Sequence, residues 1–489
     1  MTNARLVLKR FRVGLNNFAS PFLENLQPCK TKGIIMGILL FLVVFSIFAS
    51  LCTEALINGD AAVYLQQMQN FNFTERPVHL GYYLLGAGFI RLLPGSDDRA
   101  INLMNCFLGA LSVMLVYFIT FTICHKYIPA IAASLLLFTH YLFLENSIYA
   151  EVYTPQVCFF LLSISLWLLN KPIFSSLSFL LSFLIAPSAV LALPCFFILR
   201  PRLRPILLFC VIFLIFAAVA IFPVRQSYFF GSRSLFEAAD RPFDIKWALN
   251  KEGREVVSGF FLCIPLLVMG LFEIFGRKQL RPFAFALLIL WLATLISAEK
   301  ISDVSPQLPV YAMLCVVGGL GLGLILRISN SRIYIKVAVY AAVIAVIFAV
   351  FINGFNAFKK ILASNRYRTE YRNAAMWISK IAAPDYLVVG RWNRGILFEH
   401  YAFQKSFTPH WINLEWLAGF WGKDKTNESS EKLWQAIAAH RQIWLLEEQP
   451  HFRAILFRNG YKITKFDSAP FDTVRGVTLV PIYVANSEK

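Results

Sequence analysis

The sequence predicts a polytopic α-helical membrane protein of about eleven transmembrane helices, followed by a C-terminal extracytoplasmic α/β domain. Three observations carry that reading. Of 489 residues, 58% are hydrophobic and 15% charged, with a mean hydropathy of +0.60; soluble globular chains have roughly 45–50% and about 25%. Apolar runs of about twenty residues recur through residues 33–355, rich in the 47 Phe. From residue 356 the hydropathy falls and short alternating runs take over.

In order, spans are expected at 33–56, 99–123, 127–145, 153–170, 172–186, 188–200, 205–224, 259–276, 282–298, 306–327 and 333–355. The fifth and sixth are short and parted by Ala186-Pro187-Ser188, the pattern of a broken hairpin. In the tail, 385–389, 442–446, 461–466 and 477–484 read as strands, and 368–382, 394–403, 430–441 and 451–459 as helices. The division expected is therefore 1–355, a membrane domain with interfacial helices in 57–98, and 356–489, a soluble domain on the outer face.

The formal charge of +18 does not point to nucleic acid, because its placement follows the spans. Residues 1–32 carry Arg5, Lys9, Arg10, Arg12, Lys30 and Lys32 against the single acid Glu24. The following alternate connections carry Lys126, Lys171, Arg200, Arg202 and Arg204. After those come Arg277, Lys278, Arg281, Arg327, Arg332 and Lys336. By the positive-inside rule these connections are cytoplasmic. An odd number of spans then puts the N-terminus in the cytoplasm and the C-terminal domain outside, with a cell inner or plasma membrane as the expected location. The nine Cys include none after Cys315 and form no CxxC or Cys/His pattern, which disfavours a zinc site or a disulfide framework. The long charged lead does not read as a cleaved signal.

Residues 57–98 form an amphipathic, aromatic-rich loop, read as two helices lying in the outer interface on either side of Pro77. Asp60 and Tyr64 share a face of the first at i, i+4; Arg76 and His79 flank the break, and Tyr82 and Tyr83 follow. Alone, Asp60 reads equally well as a helix cap and His79 as a packed interface residue. The next outer loop, LENSIYAEVYTPQV, holds Glu145, Glu151 and Tyr153 at the membrane boundary. Charge there is unfavourable without a role, although Glu151 also complements the start of the following helix. Arg225 ends the seventh span, where it serves equally well as a snorkelling anchor, and Lys300 lies in the turn EKISD. Seven of ten Trp fall after residue 356, and the 411–421 run WINLEWLAGFW suits core packing, sugar stacking or the membrane interface.

The Asp60 loop running into HLGYYLLGAGF, then RAINLMNCFLGALSVMLVYF, then ENSIYAEVYTPQ, resembles the GT-C superfamily of membrane glycosyltransferases over residues 33–200. It is most similar to the protein O-mannosyltransferase-like and lipid A aminoarabinose transferase branch. The resemblance implies an inverting glycosyltransferase moving a sugar from a polyprenyl-phosphate donor to a hydroxyl acceptor on protein, lipid or glycan, at the outer face. It implies Asp60 as catalytic base or metal-side ligand and Glu151 as a second-loop acid. Tyr64, Arg76, His79, Tyr82, Tyr83, Tyr153, Arg225 and Lys300 are the substrate-binding candidates around them. Protein O-mannosyltransferases proper carry an Asp-Glu pair where this chain has Asp60-Ala61, which weakens protein Ser/Thr as acceptor. Two acids beside a phosphate need neutralising: either Mg²⁺ or Mn²⁺ bridges them, with Asp60 and Glu151 as ligands, or an Arg holds the phosphate. No multi-carboxylate cage is evident, which favours the Arg. A transporter or flippase is disfavoured because acids gather in loops rather than at mid-membrane. A non-catalytic scaffold gains nothing from a half-embedded acidic loop.

Overall fold

A computed structural model describes residues 31–57, 59–71, 79–199, 203–222, 242–260, 263–301, 303–328, 333–381, 386–390, 400–401, 410–413, 442–446, 450–458, 460–466 and 482–487. The helices are α1 (Thr31–Leu51), α2 (Gly59–Asn70), α3 (Leu80–Leu92), α4 (Asp97–Cys124), α5 (Tyr127–Phe138), α6 (Tyr141–Ile148), α7 (Tyr153–Leu168) and α8 (Pro172–Ile185). They continue with α9 (Leu193–Leu199), α10 (Leu203–Ile221), α11 (Ile245–Phe260), α12 (Ile264–Gly276), α13 (Arg281–Ile301), α14 (Leu308–Ile328), α15 (Ile333–Ile381) and α16 (Pro450–Arg458). Five strands, β1 (Leu387–Gly390), β2 (His410–Asn413), β3 (Gln442–Leu446), β4 (Tyr461–Phe466) and β5 (Ile482–Ser487), form one sheet.

Among the described residues six helices are long and apolar enough to cross a membrane, or up to eight if each of two bent pairs is one span. One bent pair is the expected 127–145 span: it is α5 and α6, meeting at 69°. Between them Thr139 turns its hydroxyl back on the Leu135 carbonyl at 2.8 Å, a back-bond that bends helices. The expected break at 186–188 is present: α8 ends at Ile185 and a 3₁₀ turn Pro187–Ala192 leads into α9. The chain is thus a mostly helical, multi-pass membrane protein.

Residues group into two compact units, Met1–Cys52 with Asn70–Gly95 and Ala100–Ile361, and Thr53–Gln69 with Ser96–Arg99 and Leu362–Lys489. In the first, α1 and α10 leave most of their apolar surface exposed: Val43 at 57% and Leu214 at 63% are lipid-facing positions. Serines stitch helices where lipid offers no partner. Ser163 and Ser175 exchange bonds at 2.7 and 2.9 Å between α7 and α8, and Ser182 reaches the Gln156 carbonyl at 2.9 Å. At one end of α12, Glu273 takes Arg277 at 2.7 Å and Arg327 of α14 at 2.6 Å.

Glycines let α12 and α14 touch. A Cβ on Gly270 would collide with the Val317 carbonyl, and one on Gly321 with the Leu266 carbonyl. Backbone cannot step aside as a side chain does, so Gly270→Ala is expected to destabilise by about 1–3 kcal/mol. Gly276→Ala, with nothing within 4 Å of the added carbon, is the control. Equal melting midpoints of the two variants in detergent would contradict this packing.

In the second unit the sheet order is β2-β1-β3-β5-β4. β1 runs parallel to β2 and β3, while β5 pairs antiparallel with β3 and β4. Its core is Val388, Ile443, Trp444, Leu445, Tyr483 and Val484, with Trp377 edge-on to Trp444 at 5.9 Å. Gly460, at φ 81°, ends α16 in the left-handed region that suits glycine. β2 overlaps the start of the tryptophan run and is a strand the sequence reading does not expect; the last strand covers 482–487, three residues past the expected 477–484, whose residues 477–481 lie outside the described residues. The helices expected at 394–403 and 430–441 lie largely or wholly outside the described residues.

Candidate functional site

The first unit contains the second-loop acid and the aromatic helix α3. α4 supplies the frame. Asn105 lies on its buried face and directs one amide nitrogen at three carbonyls, of Asn146 at 3.2 Å, Tyr149 at 2.6 Å and Glu151 at 2.6 Å. One helical turn earlier, Asn102 accepts the Ala150 N–H at 2.7 Å. Two asparagines three apart on an apolar helix thus fasten the end of α6 and the non-helical stretch 149–151 that follows it, whose peptide groups would otherwise be buried unpaired. Glu151 emerges from that fastening half-buried, just before α7, whose N-terminal dipole favours a carboxylate. Tyr153 follows in the first turn of α7, also half-buried.

α3 packs beneath the loop. Gly81 lets it approach the backbone of Leu184 and Ile185. Tyr82 and Tyr83 are wholly buried, so in this conformation they offer no stacking face. The Tyr82 hydroxyl reaches Asn105 Oδ1 at 3.4 Å. Burial foremost, and then the negative charge of Glu151, hold the Tyr82 phenol protonated well above the usual tyrosine range. His79 Nδ1 lies 2.7 Å from the Ile185 carbonyl. A carbonyl only accepts, so the ring carries a proton on Nδ1 and, when neutral, its lone pair on Nε2.

A second feature of this unit is an apolar cavity of about 550 Å³ among α11, α12, α13 and α14, lined by Leu249, Val256, Leu271, Phe285, Trp291 and Leu314. Its one acid is Glu252, which accepts from Tyr311 at 2.9 Å and Trp291 at 3.3 Å. The sequence reading assigned Glu252 no role; an acid on the apolar face of the strongly amphipathic α11 was the available signal.

In the second unit Asp60 occupies the first turn of α2, half-buried. There a carboxylate favours the helix through its dipole without being the cap. Tyr64, one turn on, is buried at 8% exposure, beside Ala61, Leu65 and Met68 on the packed face. The chain leading to α2 is held at Leu56, whose N–H donates to the Tyr401 hydroxyl at 2.8 Å, and at Glu54, paired with Arg372 at 2.9 Å. At the far end of the helix Gln69 donates to Asp97 at 2.6 Å, and the neighbouring Asp98 meets His400 Nε2 at 2.9 Å. Arg372 and Tyr401 were not among the sequence candidates, since contacts more than 300 positions apart leave no local pattern.

Arg76 and Arg225 lie outside the described residues, and so does the side chain of Lys300 on α13. Among the described residues no group of three or more His, Cys, Asp or Glu is arranged to hold a metal ion.

No protein-family model matches the chain, and no curated protein does. Solved structures do. ArnT from Cupriavidus metallidurans bound to undecaprenyl phosphate superposes with a TM-score of 0.59 at 12% identity, over 94% of this chain and 99% of that one. Its apo state gives 0.60 at 12% identity, over 93% and 98%. The mycobacterial arabinofuranosyltransferase AftD gives 0.50 at 13% identity, over 95% of this chain and 40% of that one. ArnT, a lipid A aminoarabinose transferase, and AftD are both GT-C membrane glycosyltransferases. At such identities the shared property is the backbone, and the chain has the fold of the GT-C superfamily.

Proposed function

We propose that the chain is an inverting glycosyltransferase that moves a hexosyl or pentosyl unit from a polyprenyl-phosphate donor to a hydroxyl acceptor. The observation that carries this reading is the likeness to ArnT with undecaprenyl phosphate bound, over 99% of that chain, in a protein whose half-buried Asp60 stands in the first turn of α2. In the reaction the acceptor oxygen attacks the anomeric carbon opposite the phosphate. The C–O bond to phosphate breaks, the electron pair leaves on phosphate oxygen, and the acceptor proton passes to the Asp60 carboxylate. Attack from the opposite face inverts the anomeric centre. Charge building on the leaving phosphate calls for a cation, with Arg225 first and Arg76, His79 and Lys300 behind it. Glu151 then orients one of these partners. The apolar cavity beside Glu252 is of a kind that accepts an isoprenoid chain.

The sequence tally of basic residues supports a cytoplasmic N-terminus and an extracytoplasmic 356–489 domain; a bacterial inner membrane is the default location for such a chain. A mannosyltransferase-like donor and a protein, lipid or glycan acceptor are all consistent with this chemistry.

The test uses the purified full-length protein in liposomes with a radiolabelled polyprenyl-phosphate sugar. Transfer is expected to survive excess EDTA, and Arg225→Ala to weaken donor use more than Arg225→Lys, because a guanidinium or an ammonium supplies the positive charge. Loss of transfer in EDTA that Mg²⁺ or Mn²⁺ restores would instead make Asp60 and Glu151 metal ligands. No turnover of any lipid-linked sugar would remove the proposed function.

A further inference from the structure

We propose that Tyr401, assisted by Arg372, is a positioning residue for Asp60, so that the C-terminal residues set the geometry of the base as well as folding around the sheet; this rests on the catalytic reading of Asp60 given above. Three residues separate Leu56 from Asp60, and at Leu56 the backbone is neither helix nor strand. Its N–H is buried, with Leu56 at 1% exposure, and donates to the Tyr401 hydroxyl at 2.8 Å. A buried peptide donor outside regular structure has to find such a partner. Here the partner comes from 345 residues further along the chain, and Tyr401 is itself 5% exposed.

The neighbouring contacts point the same way. Glu54, two residues before Leu56, is paired with Arg372 at 2.9 Å, and the Arg372 guanidinium sits 6.0 Å from the Tyr401 ring centroid. At the far end of α2, Gln69 is tied to Asp97 and Asp98 to His400, the residue adjoining Tyr401. The packed face of α2 carries Ala61, Leu65 and Met68, all nearly without exposure. The helix is therefore fixed along its face and at both ends, while Asp60 at its start stays half-buried. A carboxylate that must meet an attacking hydroxyl within hydrogen-bond reach gains from such fixing, because a displacement of about 1 Å can cost about 100-fold in rate. Removing the Tyr401 hydroxyl takes away the acceptor nearest that lead-in and leaves the rest of the ring packed.

The experiment is a double-mutant cycle in turnover between Tyr401→Phe and Asp60→Asn in the full-length protein, with amide exchange of residues 54–60 followed in parallel. Expected for Tyr401→Phe are faster exchange in that segment, a kcat lower by about 10- to 100-fold, and a donor KM within about twofold of the parent. In the Asp60→Asn background the same substitution is expected to have no further effect, since the group it positions is gone. Glu54→Gln, which breaks the ion pair and keeps the side chain's size, is expected to act in the same direction and more weakly. Equal losses of kcat in both backgrounds would make Tyr401 a merely structural residue and overturn the proposal, as would an unchanged kcat or unchanged exchange in Tyr401→Phe. Near-normal turnover of Asp60→Asn with Tyr401 intact would overturn the reading of Asp60 as base, and is told apart because no change at Tyr401 is involved.

Discussion

Asp60→Asn is expected to lower transfer by about 10²- to 10⁴-fold, the usual contribution of a positioned general base, while the protein melts as its parent does. The substitution separates chemistry from structure. Asparagine has nearly the same shape and serves as well as aspartate at a helix start. What is lost in stability is the carboxylate's favourable charge at the N-terminus of α2, about 0.3–1 kcal/mol. Asp60 lies at the rim of the packed face of α2, half-buried where Ala61 and Leu65 are buried. Turnover of the purified variant within about twofold of the parent would show that the proton leaves by another route.

The second large effect is expected at Asn105, in stability before activity. Its amide shares two protons among the carbonyls of Asn146, Tyr149 and Glu151. Asn105→Asp keeps the volume and the oxygen that meets Tyr82, but replaces both donors with an acceptor facing three acceptors. Leaving a buried polar group unsatisfied costs about 1–3 kcal/mol each time, and more where a charge is involved. A loss of several kcal/mol is therefore expected, larger than for Asn105→Ala, which leaves space that water can enter. Thermal melting in detergent, with proteolytic cleavage at 149–151 as a second readout, checks this. Equal stability of the two variants would contradict the network, because it would mean that the carbonyls do not depend on that nitrogen.

That the chain is mostly helical and crosses a membrane several times was legible, because bilayer thickness and the lack of water within it leave a strong local mark on composition; the expected count of eleven spans compares with six to eight helices or bent pairs long enough to cross among the described residues. The Asp60 loop and ENSIYAEVYTPQ were legible as motifs, with their positions on the chain. What holds them was not. Asn102 and Asn105 stood within a quoted motif and were read only as part of an apolar helix, although an amide in such a helix signals a partner. The bend at Thr139-His140 arises from a side chain folding back on its own helix, which leaves hydropathy untouched. β2 was missed because four residues, His410–Asn413, carry no alternation long enough to read. The contacts of Tyr401 with Leu56 and of His400 with Asp98 join positions with no pattern in common. Tyr82 and Tyr83, substrate-binding candidates by the resemblance, are wholly buried where α3 packs on α8, and no sequence pattern announces that packing.

The measurement that bears most directly on the account follows both products of one reaction. Purified full-length protein is given a polyprenyl-phosphate sugar of defined anomeric configuration and a hydroxyl acceptor, with a nucleotide-linked form of the same sugar in a parallel reaction. The predicted result is a glycoside of the opposite configuration, one polyprenyl phosphate released per transfer, and no use of the nucleotide sugar. A glycoside that retains the donor's configuration, or transfer from the nucleotide sugar alone, would contradict it.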